Sequence, residues 1–260
     1  MLRRFNHVAI VVPNLDEASK KYKDVLNANV SDVHDYAEHG VSVVFVDLGN
    51  TKIELMYGLN DNIQIGISRE SLKKIYSTSL KFKISEQSSN FPLNISNYTS
   101  FNYNSSSFFA QGEDVSFSDR SIIFTQFLIS AAFSEKLSLQ ISPSVALRNY
   151  NDIVPVFEDG QILFTSYERQ ENYAISFGSR YKLNNRTSLN FEYNHYMNRL
   201  KISPYKDVLS VGIDIETGGH VFQLLFSNTQ SIDDISVLLD AEGDWSIGDF
   251  FFGFNILRVF

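Results

Sequence analysis

Five histidines and no cysteine set the reactive inventory of this 260-residue chain. Without a thiol, disulfides, Cys-ligated zinc and cysteine nucleophiles are excluded. His34 and His39 fall in a polar loop. His195 and His220 each stand alone in a strand or turn, and a lone exposed imidazole reads as a surface or girdle residue, not a ligand. His7 lies on a short apolar strand. The Asn-x-Ser/Thr matches at Asn94, Asn97, Asn104 and Asn185 suit polar strands and turns as well as they suit glycosylation. From Tyr57 onward no constellation of nucleophile, base and acid can be assembled. A net charge of -8 and a pI near 5.1 exclude a nucleic-acid partner.

The elements that carry these residues change character near Tyr57. Before it the chain is mixed. Phe5–Val12 predicts a strand, Pro13 ends it, and Asn14 followed by Glu17 forms a capping signal. Leu15, Ala18, Tyr22, Val25 and Leu26 share one face of a helix ending near Asn27 or Asn29. Strands follow at about Val30–His34, Val41–Leu48 and, after a Gly49-Asn50 turn, Thr51–Met56. The order is β-α-β-β-β, and residues 1–56 read as one small module.

Beyond Tyr57 the period is two. Leu137, Leu139 and Ile141 alternate with Ser138, Gln140 and Ser142; Leu189, Phe191 and Tyr193 alternate with Ser188, Asn190 and Glu192; Leu209, Val211 and Ile213 alternate with Ser210, Gly212 and Asp214. Each stretch runs for about ten residues, the length a tilted strand needs to cross a bilayer. Short turns at Asn60-Asp61, Ser134–Lys136, Asn184–Arg186 and Gly218-Gly219 alternate with long polar loops at Asn104–Arg120, Asn149–Asn172, Asn198–Asp207 and Thr229–Gly248. That asymmetry and the aromatic residues near strand ends favour a transmembrane barrel over a two-sheet sandwich. The fold class expected for the whole chain is therefore mainly β. Residues 57–260 form an antiparallel meander barrel of about ten strands beginning near Asn62–Ser68, preceded by the small βαβββ module. Leu139, Ile141, Phe191 and Ile213 should face out, and Gln140, Asn190, Glu192 and Asp214 in.

The phrases Phe5-Asn6-His7-Val8-Ala9-Ile10-Val11-Val12-Pro13, Glu38-His39-Gly40-Val41-Ser42-Val43-Val44-Phe45-Val46 and Leu48-Gly49-Asn50-Thr51-Lys52-Ile53-Glu54-Leu55-Met56 resemble methylmalonyl-CoA epimerase, of the vicinal-oxygen-chelate superfamily. The resemblance implies one of two βαβββ modules that face each other around a divalent metal such as cobalt or manganese. It places His7 and Glu54 at the two metal-ligand positions of the first module, an imidazole and a carboxylate suited to such an ion. It also implies methylmalonyl-CoA as the partner. In the family the metal polarises the thioester carbonyl while a carboxylate moves the α-proton. The family's base position falls at Val43, so no catalytic residue is assigned. The second module has no counterpart after Met56. A homodimer through residues 1–56 would supply a second His7 and Glu54; otherwise the two residues are relics, and the chain is expected to be no enzyme.

The segments Lys136–Pro143, Leu209–Leu224 and Gly248–Phe260 are similar to an uncharacterised outer-membrane β-barrel family of Bacteroidota type, which implies outer-membrane lipid as the surrounding partner. The terminal Phe260 suits the signal read by barrel-assembly machinery, and Arg258 departs from it. No signal peptide or membrane helix is visible, so the chain as written is expected in the cytoplasm, against the outer-membrane location that the barrel implies. No Gly/Ser or Pro linker separates Met56 from Asn60. The two halves read as a chimera.

Overall fold

The computed structural model describes residues 14–26, 29–36, 41–44, 46–47, 52–106, 116–148, 152–158, 161–167, 171–199 and 203–258. The strand expected at Phe5–Val12, with His7, lies outside these, as does Phe260. The chain divides into two compact units, Met1–Gly49 and Asn50–Phe260.

In the first unit, helix α1 covers Leu15–Leu26. Its start matches the capping signal: the Asn14 Oδ1 accepts from the Glu17 amide at 3.0 Å. Glu17 then pairs with Lys21 one turn on at 2.7 Å. The expected strand at Val30–His34 is two short pieces instead, β1 (Asn29–Val30) and β2 (His34–Tyr36). Val41–Leu48 likewise contributes β3 (Val41–Val43) and β4 (Val46–Asp47). They pair antiparallel as β1 with β4 and β2 with β3.

The second unit is dominated by one sheet. Its strands are β5 (Lys52–Asn60), β6 (Ile63–Glu70), β7 (Ile75–Ser85), β8 (Asn94–Asn104), β9 (Ser121–Ala132) and β10 (Leu137–Arg148). After β11 (Asp152–Glu158) and β12 (Gln161–Tyr167) the sheet continues with β13 (Glu171–Lys182), β14 (Thr187–Tyr196), β15 (Val208–Thr217), β16 (His220–Ser227) and β17 (Phe251–Arg258). Eleven of these strands pair in chain order as an antiparallel meander. The exceptions are β11 and β12, which pair with each other as a separate hairpin within the stretch expected to be a polar loop. The local sequence explains the hairpin: Ile153-Val154-Pro155-Val156-Phe157 and Ile162-Leu163-Phe164 flank an Asp159-Gly160 dipeptide.

Ten of the eleven strands are those expected from Asn62 onward. The eleventh is β5, which includes the Thr51–Met56 stretch read as the last strand of the N-terminal module. It pairs with β6 over its length, Glu54 opposite Ser68 and Met56 opposite Gly66. The boundary between compact units at Gly49 therefore precedes this strand, whereas the sequence change near Tyr57 falls within it.

The two faces of the sheet have opposite chemistry. One row across consecutive strands reads Leu137, Tyr181, Leu189, Ile213, Leu224, Phe254. A row on the other face reads Ser130, Gln140, Gly178, Glu192, Ser210, Ser227. The apolar row is open: Leu139, Phe191 and Ile213 are exposed. On the polar face Ser142, Asn194 and Asp214 are buried, Asn190 is half-buried, and Gln140 and Glu192 stay accessible. A sandwich would bury the apolar rows between sheets; here they form a continuous exposed band, far larger than a water-facing surface tolerates.

What covers the polar face is the β16–β17 connection, residues 228–250, expected to be an exterior loop. It carries a short helix, α2 (Ser236–Leu239), and a 3-10 turn at Trp245–Ile247. Ile235, Leu238 and Leu239 are almost wholly buried against Phe124 of β9, Ala146 of β10 and Tyr196 of β14. Asp240, next in sequence, reaches Lys73 at the start of β7 with 3.1 Å between charges. In a flat sheet β7 and β14 would lie roughly 24 Å apart, five spacings of about 4.8 Å. Contact of both with neighbouring plug residues requires the sheet to curl around the segment, and makes the polar face its interior.

Asn228 holds the neck of this plug. Its Oδ1 accepts from the Leu209 amide at 2.8 Å, and its Nδ2 donates to the Asp207 and Gly243 carbonyls at 2.9 and 3.1 Å. Gly243 donates back to the Asn228 carbonyl at 2.8 Å. A side chain at Gly243 would meet the Asp249 and Asn228 carbonyl oxygens at 2.5 and 2.9 Å, so this crossing needs glycine. The Trp245 indole adds a bond to the Leu209 carbonyl at 2.8 Å. Asn228→Ala strands three backbone groups in a buried position and should cost roughly 2–4 kcal/mol, read as a lowered denaturant midpoint for the detergent-solubilised chain; an unchanged midpoint would show that the neck is held by other contacts.

Candidate functional site

The interior between plug and wall holds a cavity of about 280 Å³. Period-two alternation presents Gln140 and Ser142 of β10, Ser176 and Gly178 of β13 and Glu192 of β14 to it; β9 adds Phe124, Gln126 and Leu128. The plug supplies Asp233, Asp234, Val237 and Leu238. Three carboxylates and no basic side chain line it.

All three acids accept hydrogen bonds, Asp233 through one oxygen only. Asp234 accepts from the Tyr98 hydroxyl at 2.5 Å, and Glu192 accepts from the Asn194 side-chain amide at 3.0 Å. Asp233 caps α2: its Oδ1 accepts from the Ile235 and Ser236 amides at 3.2 and 2.9 Å. Its Oδ2 is buried with no hydrogen-bond partner. Burial pushes the Asp233 carboxyl above the usual range; the Ser236 amide and the nearby Lys73 ammonium offset part of this. Lys73 is committed to Asp240, and its own pKa is raised because Asp240 and Asp233 together outweigh its burial. Glu70 accepts from the Leu72 and Lys73 amides, the latter at 2.7 Å, and fixes the turn that presents Lys73.

Of the two residues expected to bind metal, only Glu54 is among the described residues. His7 is outside them. Glu54 lies on β5, exposed; its carboxylate is close enough to Tyr98 on β8 to act on it electrostatically. No group of three or more possible ligands capable of holding a metal ion occurs among the described residues. Sequence reasoning missed the acids of the plug. The signal was present as Ile232, Ile235, Val237, Leu238 and Leu239 within a supposed polar loop, with Asp233 placed to cap a helix at Ser236.

A second polar cluster ties down the β14–β15 connection. Asp207 receives His195 Nδ1 at 2.7 Å, the Tyr193 hydroxyl at 2.9 Å and the Tyr196 amide at 3.2 Å, with the Arg199 guanidinium at 2.8 Å. Burial alone would raise the Asp207 carboxyl, but the bonds from His195, Tyr193 and Tyr196 and the charge of Arg199 hold it below the usual range. A depressed carboxyl stabilises the fold fully above its unfolded pKa of about 4 and loses that contribution as pH falls through the folded value. Hydrogen exchange at the Tyr196 amide, corrected for intrinsic rates, should therefore accelerate only below about pH 4, and Asp207→Asn should remove that step; an acceleration centred well above pH 4 would assign the protection to another group.

Two sets of known proteins resemble the chain. Over 64 residues it is 58% identical to the mitochondrial methylmalonyl-CoA epimerase of Mus musculus, covering 25% of this chain and 36% of that protein. Over 65 residues it is 46% identical to the ethylmalonyl-CoA/methylmalonyl-CoA epimerase of Cereibacter sphaeroides, covering 25% and 48%. The chain thus spans about a third to a half of the length of these relatives. Among solved structures, the NanC porin aligns over 73% of this chain and 86% of its own, at 8% identity and a TM-score of 0.48. The Ralstonia pickettii toluene transporter TbuX aligns over 77% and 70%, at 9% identity and 0.37. Epimerase likeness over a quarter of the chain, together with a barrel sheet over most of it, fits a chimera. Residues 17–260 match the family described as Membrane bound beta barrel domain (DUF5777), and with the apolar band exposed and the polar face covered by residues 228–250, the chain belongs to that membrane β-barrel family.

Proposed function

We propose that this protein is an outer-membrane barrel held shut at rest by its own β16–β17 segment, and that its epimerase-like segment does not catalyse. The observation that carries the first part is the burial of Ile235, Leu238 and Leu239 against three strands of the inner face. A segment so anchored fills the interior that an open channel would leave to water. Beyond the Asn228 neck, the anchors are the Tyr98–Asp234 bond, the Lys73–Asp240 pair and the apolar contacts of α2. The outer membrane is the location that fits a barrel of this kind, whose strands leave no unpaired backbone within lipid once closed.

The test is conductance in planar bilayers. The parent chain should be nearly silent. Leu239→Asp, which puts a charge into the plug's apolar contact, should produce frequent openings. A parent chain that conducts steadily, at the same level as the variant, would refute the plugged reading.

For the N-terminal segment, one imidazole and one carboxylate fall short of the three protein ligands that a catalytic zinc-type site keeps. Completion by a second copy would require the Glu54 strand to stand free for a module-to-module contact, whereas β5 is hydrogen-bonded into the large sheet. Purified chain supplied with cobalt or manganese should therefore leave methylmalonyl-CoA unracemised. Turnover that disappears in His7→Ala would reverse this reading and establish a dimeric metal site.

A further inference from the structure

The cavity between plug and wall has the composition of a binding site for a small organic ammonium ion, and we infer that it takes one, with Asp233 as the counter-charge. Four features converge. The Asp233 Oδ2 is buried and without a hydrogen-bond partner, while the Oδ1 is fully used by the cap of α2. A buried carboxylate oxygen left this way lacks compensation for the water it has lost, which a cationic donor supplies directly. The lining carries two further carboxylates and no Lys or Arg, so the field inside favours a cation. The nearest ammonium, Lys73, already pairs with Asp240.

The remaining walls decide what kind of cation. A bare metal ion would need several oxygen ligands converging at one point, and no such group exists among the described residues. A volume of about 280 Å³ is also far larger than an ion requires. Phe124, Leu128, Val237 and Leu238 provide an apolar surface beside the acid, suited to a short alkyl or aryl body. Gln140 and Ser142 are hydrogen-bonded to each other at 3.0 Å and complete the polar side. An ammonium head with a small hydrocarbon tail matches this division. Because Asp233 also caps α2 within the plug, the ligand would bind to the element that closes the barrel. The inference rests on the plugged-barrel reading.

The experiment uses the full chain in detergent and n-butylammonium as probe, with n-butanol and butyrate as the neutral and anionic isosteres, followed by calorimetric titration. Saturable binding of butylammonium alone is expected. Asp233→Asn keeps the cap's shape and removes the charge; it should weaken binding at least tenfold. Glu192→Gln should weaken it less, and Asp244→Asn, outside the cavity, should leave it unchanged. Chymotryptic cleavage after Leu238 or Leu239, run in parallel on each variant, reports whether the plug is docked. A docked chain that binds nothing, binds butanol equally well, or binds as tightly in Asp233→Asn overturns the site. If Asp233→Asn undocks the plug, Glu192→Gln decides: undiminished binding there likewise overturns it. Ready cleavage in the parent chain would instead refute the plugged reading itself.

Discussion

A sheet that carries its apolar side chains outward must do something with its other face. Many inward positions here are serine, asparagine, glutamine or an acid, whose hydrogen-bonding groups need water or partners. The chain fills much of that space with itself, and Asn228 is where the filling begins. Its single side chain ties β15, β16 and the returning strand of the plug by three bonds. With that neck in place, α2 can lay Ile235, Leu238 and Leu239 on the few apolar residues of the wall, and its acids can meet Tyr98 and Lys73.

The inner wall also has a polar ladder that does not involve the plug. Arg180 on β13 bonds Glu216 on β15 at 2.7 Å and lies 3.7 Å from Asp214. Gln223 of β16 donates to Asp214 at 3.0 Å, and Asn255 of β17 donates to Gln223 at 3.2 Å. Four strands are cross-linked by side chains on a face where a soluble protein would place aliphatic residues. Tightness on this side of the molecule thus comes from directional bonds, whose spacing follows the strand register.

Period-two patterning made the sheet legible. Leu189, Phe191, Ser188 and Asn190 announced both the strand and its faces, because alternation maps directly onto inside and outside. The turns at Asn60, Ser134 and Asn184 were legible for a related reason: each side chain caps its own turn, as with the Asn184 Oδ1 accepting from Arg186 at 2.8 Å. The plug was not legible as a plug. Its apolar residues were visible, but nothing local says whether a loop between two strands folds inward or outward; that depends on Phe124, Ala146 and Tyr196, which are up to 115 positions away. The orphan oxygen of Asp233 was harder still, since the shortage of partners exists only once the segment is enclosed. The N-terminal family signature was clear in residues 1–56, yet local likeness did not determine which sheet its last strand would join.

That strand has a consequence for how such sheets change over time. Leu55, Tyr57 and Leu59 of β5 are exposed on one face, while Glu54 and Met56 share the other with Ser68 and Gly66 of the neighbouring strand. Backbone pairing is indifferent to ancestry, and an edge strand has only one neighbour to satisfy. A segment with roots in an unrelated fold therefore serves as the first stave so long as its side chains alternate. Barrels of this kind are accordingly permissive toward gene fusion at their leading edge, where a newly joined stretch meets a low bar for acceptance, and far less so in the middle, where an incoming strand would have to match two registers and the plug at once.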